Sequence, residues 1–150
     1  MKTAIAIDPG GTTGFAIGKA NNEVFGVTPF QEPYSHEGLY AYLRSVGFMT
    51  IICEDFLYRN AARPGLELVS REMIGVIKLY CQQNKIKPIM QNPGEAVGKN
   101  AYFSNDRLKK MGVYVPGRPH AMDALRHLLH WWQFGSGFQY NARQRIELWP

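Results

Sequence analysis

TAIAIDPGGTTGFAIG, residues 3–18, is an apolar run that ends on a single carboxylate, turns through glycines and resumes as a second apolar run. Ala4, Ile5, Ala6 and Ile7 are all apolar, as in a strand covered on both faces, so Asp8 stands where a central strand leaves the core. Pro9, Gly10 and Gly11 stop that strand, because glycine supplies the dihedrals of a tight turn, and residues 12–17 return beside it as an antiparallel partner. A charge at the end of a buried strand is costly unless it is paired. A metal ion, a cation bound to phosphate, or water at the sheet edge would each serve.

Working outward, Asn21 and Asn22 mark a turn and residues 23–28 read as a third strand, closing a meander. A turn-rich loop over 29–36 leads through Ser35, a helix cap, into a helix over 36–46 with Leu39, Tyr42, Leu43 and Val46 on one face; Gly47 ends it. Residues 50–53, TIIC, are a second buried-type strand, and Glu54 occupies the position at its end that Asp8 holds on the first. With a helix crossing between them, the two strands run parallel and both carboxylates emerge at one end of the sheet, where ligand sites of α/β sheets lie. Asp55, one residue on, points to the other face and is the weaker candidate.

FLYRNAARPG, residues 56–65, combines rings with guanidinium groups, which suits bases and phosphates and makes Phe56, Tyr58, Arg59 and Arg63 candidate DNA contacts. A loop anchored by one aromatic, with solvated arginines, fits equally well. Residues 66–83 read as a long amphipathic helix with Leu66, Val69, Met73, Ile77 and Tyr80 at helical spacing. Ile74, Val76 and Leu79 widen that stripe, so part of it is expected to meet another subunit. A short strand over 86–90 and a helical turn over 93–97 follow. Lys99, Arg107, Lys109 and Lys110 then concentrate positive charge, as a solvated helix face or as a DNA contact.

HAMDALRHLLHWWQF, residues 120–134, is the second dense stretch. At about 100° per residue, His120, Asp123, Arg126, His127 and His130 share a polar arc of about 120°, opposite Leu125, Leu128, Leu129, Trp131 and Trp132. His120 and Asp123, at i and i+3, project together from the first turn. His127 and His130 lie further along and read as core histidines with a satisfied hydrogen bond, with a phosphate as the alternative partner.

At 150 residues, 45% hydrophobic and 19% charged, the chain fits one soluble domain. No run approaches a membrane span and no signal-type start is present, so a cytoplasmic protein is expected. Cys53 and Cys81 have no metal-type spacing and read as buried free thiols. The net charge of +5 favours a polyanionic partner. No G-x-S-x-G nucleophile signal occurs. Three carboxylates and a histidine from separated segments suit two hard divalent cations, magnesium or manganese, whose waters serve phosphodiester hydrolysis.

IAIDPGGTTGFAI, the strand ending CED followed by FLYRN, and GRPHAMDALRH together resemble the RuvC family of Holliday junction resolvases, particularly its short bacteriophage members, within the ribonuclease H and integrase-like superfamily. The resemblance implies an α/β fold with a mixed five-stranded sheet, an antiparallel three-strand meander plus two parallel strands, flanked by helices. Residues 1–134 would be the nuclease domain and 135–150 a carboxyl-terminal tail. It implies catalytic and metal-binding roles for Asp8, Glu54, His120 and Asp123, with two Mg2+ or Mn2+ ions per site. Phe56 with Asn60 resembles the family's F-x-x-x-N segment, whose phenylalanine stacks on bases; the shorter offset from Glu54 leaves Leu57 or Tyr58 as substitutes. Lys99, Lys109 and Lys110 stand loosely for its lysine-rich segment. The implied assembly is a homodimer on the long helix, acting on a four-way DNA junction. The glycine loop also resembles the phosphate turn of the actin and sugar kinase superfamily, but 150 residues leave little room for its two lobes. The remaining alternatives are another nuclease of the superfamily, acting on RNA in the YqgF manner or on flaps, and a nucleic-acid binding module without catalysis.

Overall fold

The computed structural model describes residues 1–55, 64–135 and 137–150, with the backbone alone for 64–67. In chain order the elements are β1 (Lys2–Asp8), β2 (Thr13–Ala20), β3 (Val24–Glu32), α1 (His36–Val46), β4 (Ile51–Glu54), α2 (Pro64–Gln83), β5 (Ile89–Gln91), α3 (Pro93–Ala96), α4 (Asn105–Lys110), α5 (Pro119–Phe134) and β6 (Arg145–Leu148). One sheet carries all the strands in the order β5-β4-β1-β2-β3-β6. β2 is antiparallel to both its neighbours, and β4, β5 and β6 pair in parallel. The meander and the parallel pair are thus as expected, but the sheet has six strands, not five.

The sixth strand comes from the tail. RIEL is too short and too polar to announce itself, and it forms because β3 offers it an edge over Val24–Val27. Trp149 secures it: its indole lies where Gly26 has no side chain, its backbone N–H donates to Val27 O at 2.8 Å, and its backbone carbonyl accepts from Thr28 Oγ1 at 3.1 Å. β3 also continues past Thr28, through Pro29 to Glu32, where a loop was expected. β6 pairs only as far as Val27, so a residue without an N–H is tolerated on the edge beyond it. α1 begins and ends as its caps dictate, with Ser35 Oγ accepting from Gly38 N–H and Gly47 left-handed at φ 71°.

The period-two pleat sorts the opening stretch into two faces. Ile5, Ile7 and Phe15 join Ile51 and Cys53 on the face covered by α1 and α2, in a core with Leu39, Leu43, Met73, Ile74, Ile77 and Tyr80. Ala4, Ala6, Ala16 and Ala20 look the other way, into the core made by α5 with Leu125, Leu128, Leu129 and Trp132. Gly14 and Gly18 lie on that same face: a Cβ on Gly18 would stand 3.1 Å from Leu128, and one on Gly14 only 1.9 Å from the carbonyl oxygen of His120. β1 and β2 therefore offer α5 a floor of glycine and alanine, and its first turn rests directly on backbone.

Gly14→Ala should destabilise the protein by about 2 kcal/mol or more, since the new methyl meets helix backbone rather than a side chain that can turn away. Denaturant unfolding measures this, and unchanged stability would mean that α5 is not seated there.

Candidate active site

Strand register lays a row of polar residues across one end of the sheet on the α5 face. Gln31 pairs with Gly14, Gly14 with Asp8, and Glu54 with Gln91. The parallel pairing of β1 with β4 runs through Ile7 and Cys53, so Asp8 and Glu54 follow in step. The row reads Gln31, Gly14, Asp8, Glu54, Gln91 across five strands, and α5 crosses it.

At one end of the row, Gln31 Oε1 accepts from the backbone N–H groups of His120 and Ala121, at 3.1 and 3.2 Å. Arg118, the residue before the helix, makes no side-chain cap, and Pro119 in the first turn has no N–H to satisfy. The cap comes instead from 89 residues away in sequence. It holds the first turn over Asp8, and His120 Nδ1 lies 3.1 Å from Asp8 Oδ2. At the Asp8 turn, Thr13 Oγ1 donates to Gly10 O at 3.1 Å.

At the other end, His127 is fully buried. Its Nε2–H donates to Glu54 Oε2 at 2.7 Å, and its Nδ1 lies 2.7 Å from Gln91 Oε1. Between the two histidines, Asp123 Oδ1 accepts from Arg126 Nη1 at 2.8 Å. The same guanidinium donates through Nε to Phe103 O at 2.9 Å and through Nη2 to Asn105 Oδ1. Ser104 caps α4 beside that contact, accepting from Arg107 N–H.

The carboxylates feel one another. Burial pushes the Asp8 carboxyl up to about 6, with Glu54 and Asp123 adding repulsion and the His120 hydrogen bond opposing. Asp123 is raised, first by burial and then by Glu54, against the attraction of Arg126. The His120 imidazole is raised chiefly by its hydrogen bond to Asp8. Hard oxygen donors crowded to mutual repulsion have the chemistry of a divalent-cation site. Among the described residues no three His, Cys, Asp or Glu side chains converge on one point as a finished ligand shell. Each carboxylate is instead paired to α5: Asp8 with His120, Glu54 with His127 and Asp123 with Arg126.

All four residues singled out from sequence, Asp8, Glu54, His120 and Asp123, lie at this end of the sheet. Phe56, Leu57, Tyr58, Arg59, Asn60 and Arg63 fall outside the described residues. Lys99, Lys109 and Lys110 are exposed, with Lys109 Nζ 4.9 Å over the Tyr114 ring; Arg107 stacks 3.8 Å over Tyr102. Sequence reasoning missed Gln31 and Gln91 and gave Arg126 no role; His127 is the buried, hydrogen-bonded histidine expected, but its partner Glu54 was not foreseen. Gln91 did carry a signal, being the third polar residue to end an apolar strand. Cys53 and Cys81 are buried free thiols, and among the described residues no helix is long and apolar enough to cross a membrane.

No protein-family profile matches the chain, and no curated protein matches it in sequence. Solved structures do match its fold. A Thermus thermophilus RuvC in complex with Holliday junction substrate superposes with a TM-score of 0.67 at 15% identity, covering 93% of this chain and 98% of that one. A second T. thermophilus RuvC structure gives 0.62 at 16%, covering 89% and 97%. The fowlpox virus Holliday junction resolvase gives 0.57 at 15%, covering 87% and 97%. The chain shares the fold of these resolvases.

Because the Asp8 carboxyl is raised in the fold, folding takes up a proton there. Its stabilising contribution is complete below about pH 4 and is lost as pH rises through about 6. Asp8→Asn should therefore stabilise the metal-free protein at pH 8, by up to about 3 kcal/mol, and change little at pH 4. Melting curves in chelator at both pH values test this, and equal stability of variant and parent at pH 8 would contradict it.

Proposed function

We propose that the chain is a structure-specific endodeoxyribonuclease that resolves four-way DNA junctions by paired nicks, dependent on Mg2+ or Mn2+. The observation that carries the reading is the strand-end pair Asp8 and Glu54 brought beneath His120 and Asp123, within the fold that T. thermophilus RuvC applies to its Holliday junction substrate. Asp8, Glu54 and Asp123 would hold two ions. Bound there, the ions would supply an activated water and stabilise the attacking and leaving oxygens of a phosphodiester.

The chain's own residues do the rest. Asp8, raised by burial and by its carboxylate neighbours, gains from any cation that relieves the repulsion. His120 engages Asp8 through Nδ1, which leaves Nε2 to bind an ion or to hold the attacking water and take its proton. Arg126 fixes Asp123 against the α4 entrance. No side-chain nucleophile is required. The exposed cations Lys99, Lys109 and Lys110 would meet phosphates, and the 56–63 segment, with Phe56, Tyr58, Arg59 and Arg63, would meet the junction centre. Leu68 and Leu79, 57% and 48% exposed on α2, lie three turns apart on one side of the helix. They support pairing with a second copy, which gives a two-fold junction two active sites. Residues 1–134 would be the catalytic domain, with the 135–150 tail closing its sheet, and the enzyme would work in the cytoplasm of a bacterium or phage-infected host.

A synthetic four-way junction, assayed beside duplex, flap, single-stranded DNA and structured RNA, tests the reading. Symmetric nicks in the junction, made with Mg2+ or Mn2+ and lost with chelator, are expected. Asp8→Asn should lower the cleavage rate by about 1,000-fold or more while junction affinity stays within about threefold. A variant that still cuts would overturn the metal assignment, and preference for RNA or for unbranched DNA would overturn the substrate.

A further inference from the structure

α5 presents a residue to the site that the proposed chemistry does not use. His127 has no exposed surface, yet it sits among Leu125, Leu128 and Leu129 of the main core helix, where an apolar side chain would pack without cost. A polar group is kept in such a place only when its hydrogen bonds are made. The ring nitrogens lie 2.7 Å from Glu54 on β4 and from the side-chain amide of Gln91 on β5, whose NH2 end serves an unprotonated Nδ1, and these two residues are paired in strand register. The imidazole therefore bridges two adjacent strand ends from above. Gln91 is itself held in line, because its backbone carbonyl accepts from Asp55 N–H at 2.7 Å, one residue past Glu54.

We propose that His127, braced by Gln91, is a positioning residue that fixes the rotamer of Glu54 and occupies its Oε2, so that Glu54 offers the site a single oxygen, Oε1. The argument is geometric. Glu54 is the last residue of β4, so backbone pairing alone leaves that side chain free to rotate. A glutamate has three side-chain torsions, and a ligand with that freedom loses entropy whenever it binds. The hydrogen bond from a ring buried in the core removes most of that freedom in advance. It also directs which oxygen remains. A histidine to carboxylate contact behind a ligand typically changes metal affinity or turnover by 10–100-fold.

The proposal rests on Glu54 being a catalytic carboxylate, and the experiment separates the two. Junction cleavage would be measured for the full-length protein as parent, Glu54→Gln, His127→Ala, His127→Phe, His127→Gln and Gln91→Ala. Mn2+ binding would be measured by calorimetry without DNA, and melting temperature would report folding. If Glu54→Gln cuts like the parent, the reading of Glu54 fails and the proposal falls with it. If Glu54→Gln is inactive, the proposal requires that His127→Phe, which fills the space but cannot donate, lose about 10–100-fold in kcat and in Mn2+ affinity, with KM for the junction within about threefold. His127→Gln, whose amide can donate, should recover most of both. Gln91→Ala should weaken Mn2+ binding in the same direction by about fivefold, which keeps the test decisive if the His127 variants fail to fold. A merely structural histidine would shift melting temperature alone. Folded His127→Phe with parental kcat and Mn2+ affinity, or Gln91→Ala indistinguishable from the parent where no His127 variant folds, would overturn the proposal.

Discussion

The distance between a helix and a sheet is set by the side chains between them, and here β1 and β2 supply almost none. Ala4, Ala6, Gly14, Ala16, Gly18 and Ala20 all lie on the face beneath α5. The larger members of the same two strands, Ile5, Ile7 and Phe15, face α1 and α2. Every other feature of the site follows from this asymmetry. A helix held at ordinary packing distance by leucines could not bring the backbone of residue 120 onto Gly14, and the imidazole next to it would not reach Asp8. The core of the protein and the geometry of its candidate active site are therefore the same contact.

That closeness creates an electrostatic conflict, which the structure answers locally. Asp8 and Asp123 are brought together beside Glu54, and for both of them burial and the Glu54 charge work against ionisation. Each of the three carboxylates is answered by a different side chain of α5, His120 in its first turn and Arg126 and His127 near its middle. The helix thus carries one of the three charges and a counter-group for each. Carboxylates gathered at the expense of stability mark a functional site more often than a structural one. It is this tension, more than any single distance, that favours a cation-dependent enzyme over a passive binding module.

Much of this was legible in the sequence because the decisive patterns are local. An apolar run ending in Asp8, another ending in Glu54 and a helical arc holding His120 with Asp123 can each be read within about ten residues. What could not be read depends on contacts between distant segments. Gln31 was lost when Pro29 was taken as the end of β3, a sound inference for a central strand that fails because β6 covers only the first part of that edge. β6 itself exists through Trp149 and Gly26, more than a hundred residues apart. His127 lies on the same arc as His120 and its place in the core was legible, but which carboxylate it meets there depends on how α5 lies across β4, and helical periodicity carries no information about that.

The polar row also has a property of parity. Gln31, Asp8, Glu54 and Gln91 share a face because each stands an even number of residues from a neighbour that already points there. One residue inserted within a strand would reverse the sign and turn its carboxylate into the opposite core. One residue inserted in a connecting loop changes nothing. Chain length is therefore fixed only inside a few short segments and free between them, while most core positions ask only for an apolar group of suitable size. Many sequences satisfy those rules without moving the row, which is why a structure can cover 93% of this chain in fold at 15% identity.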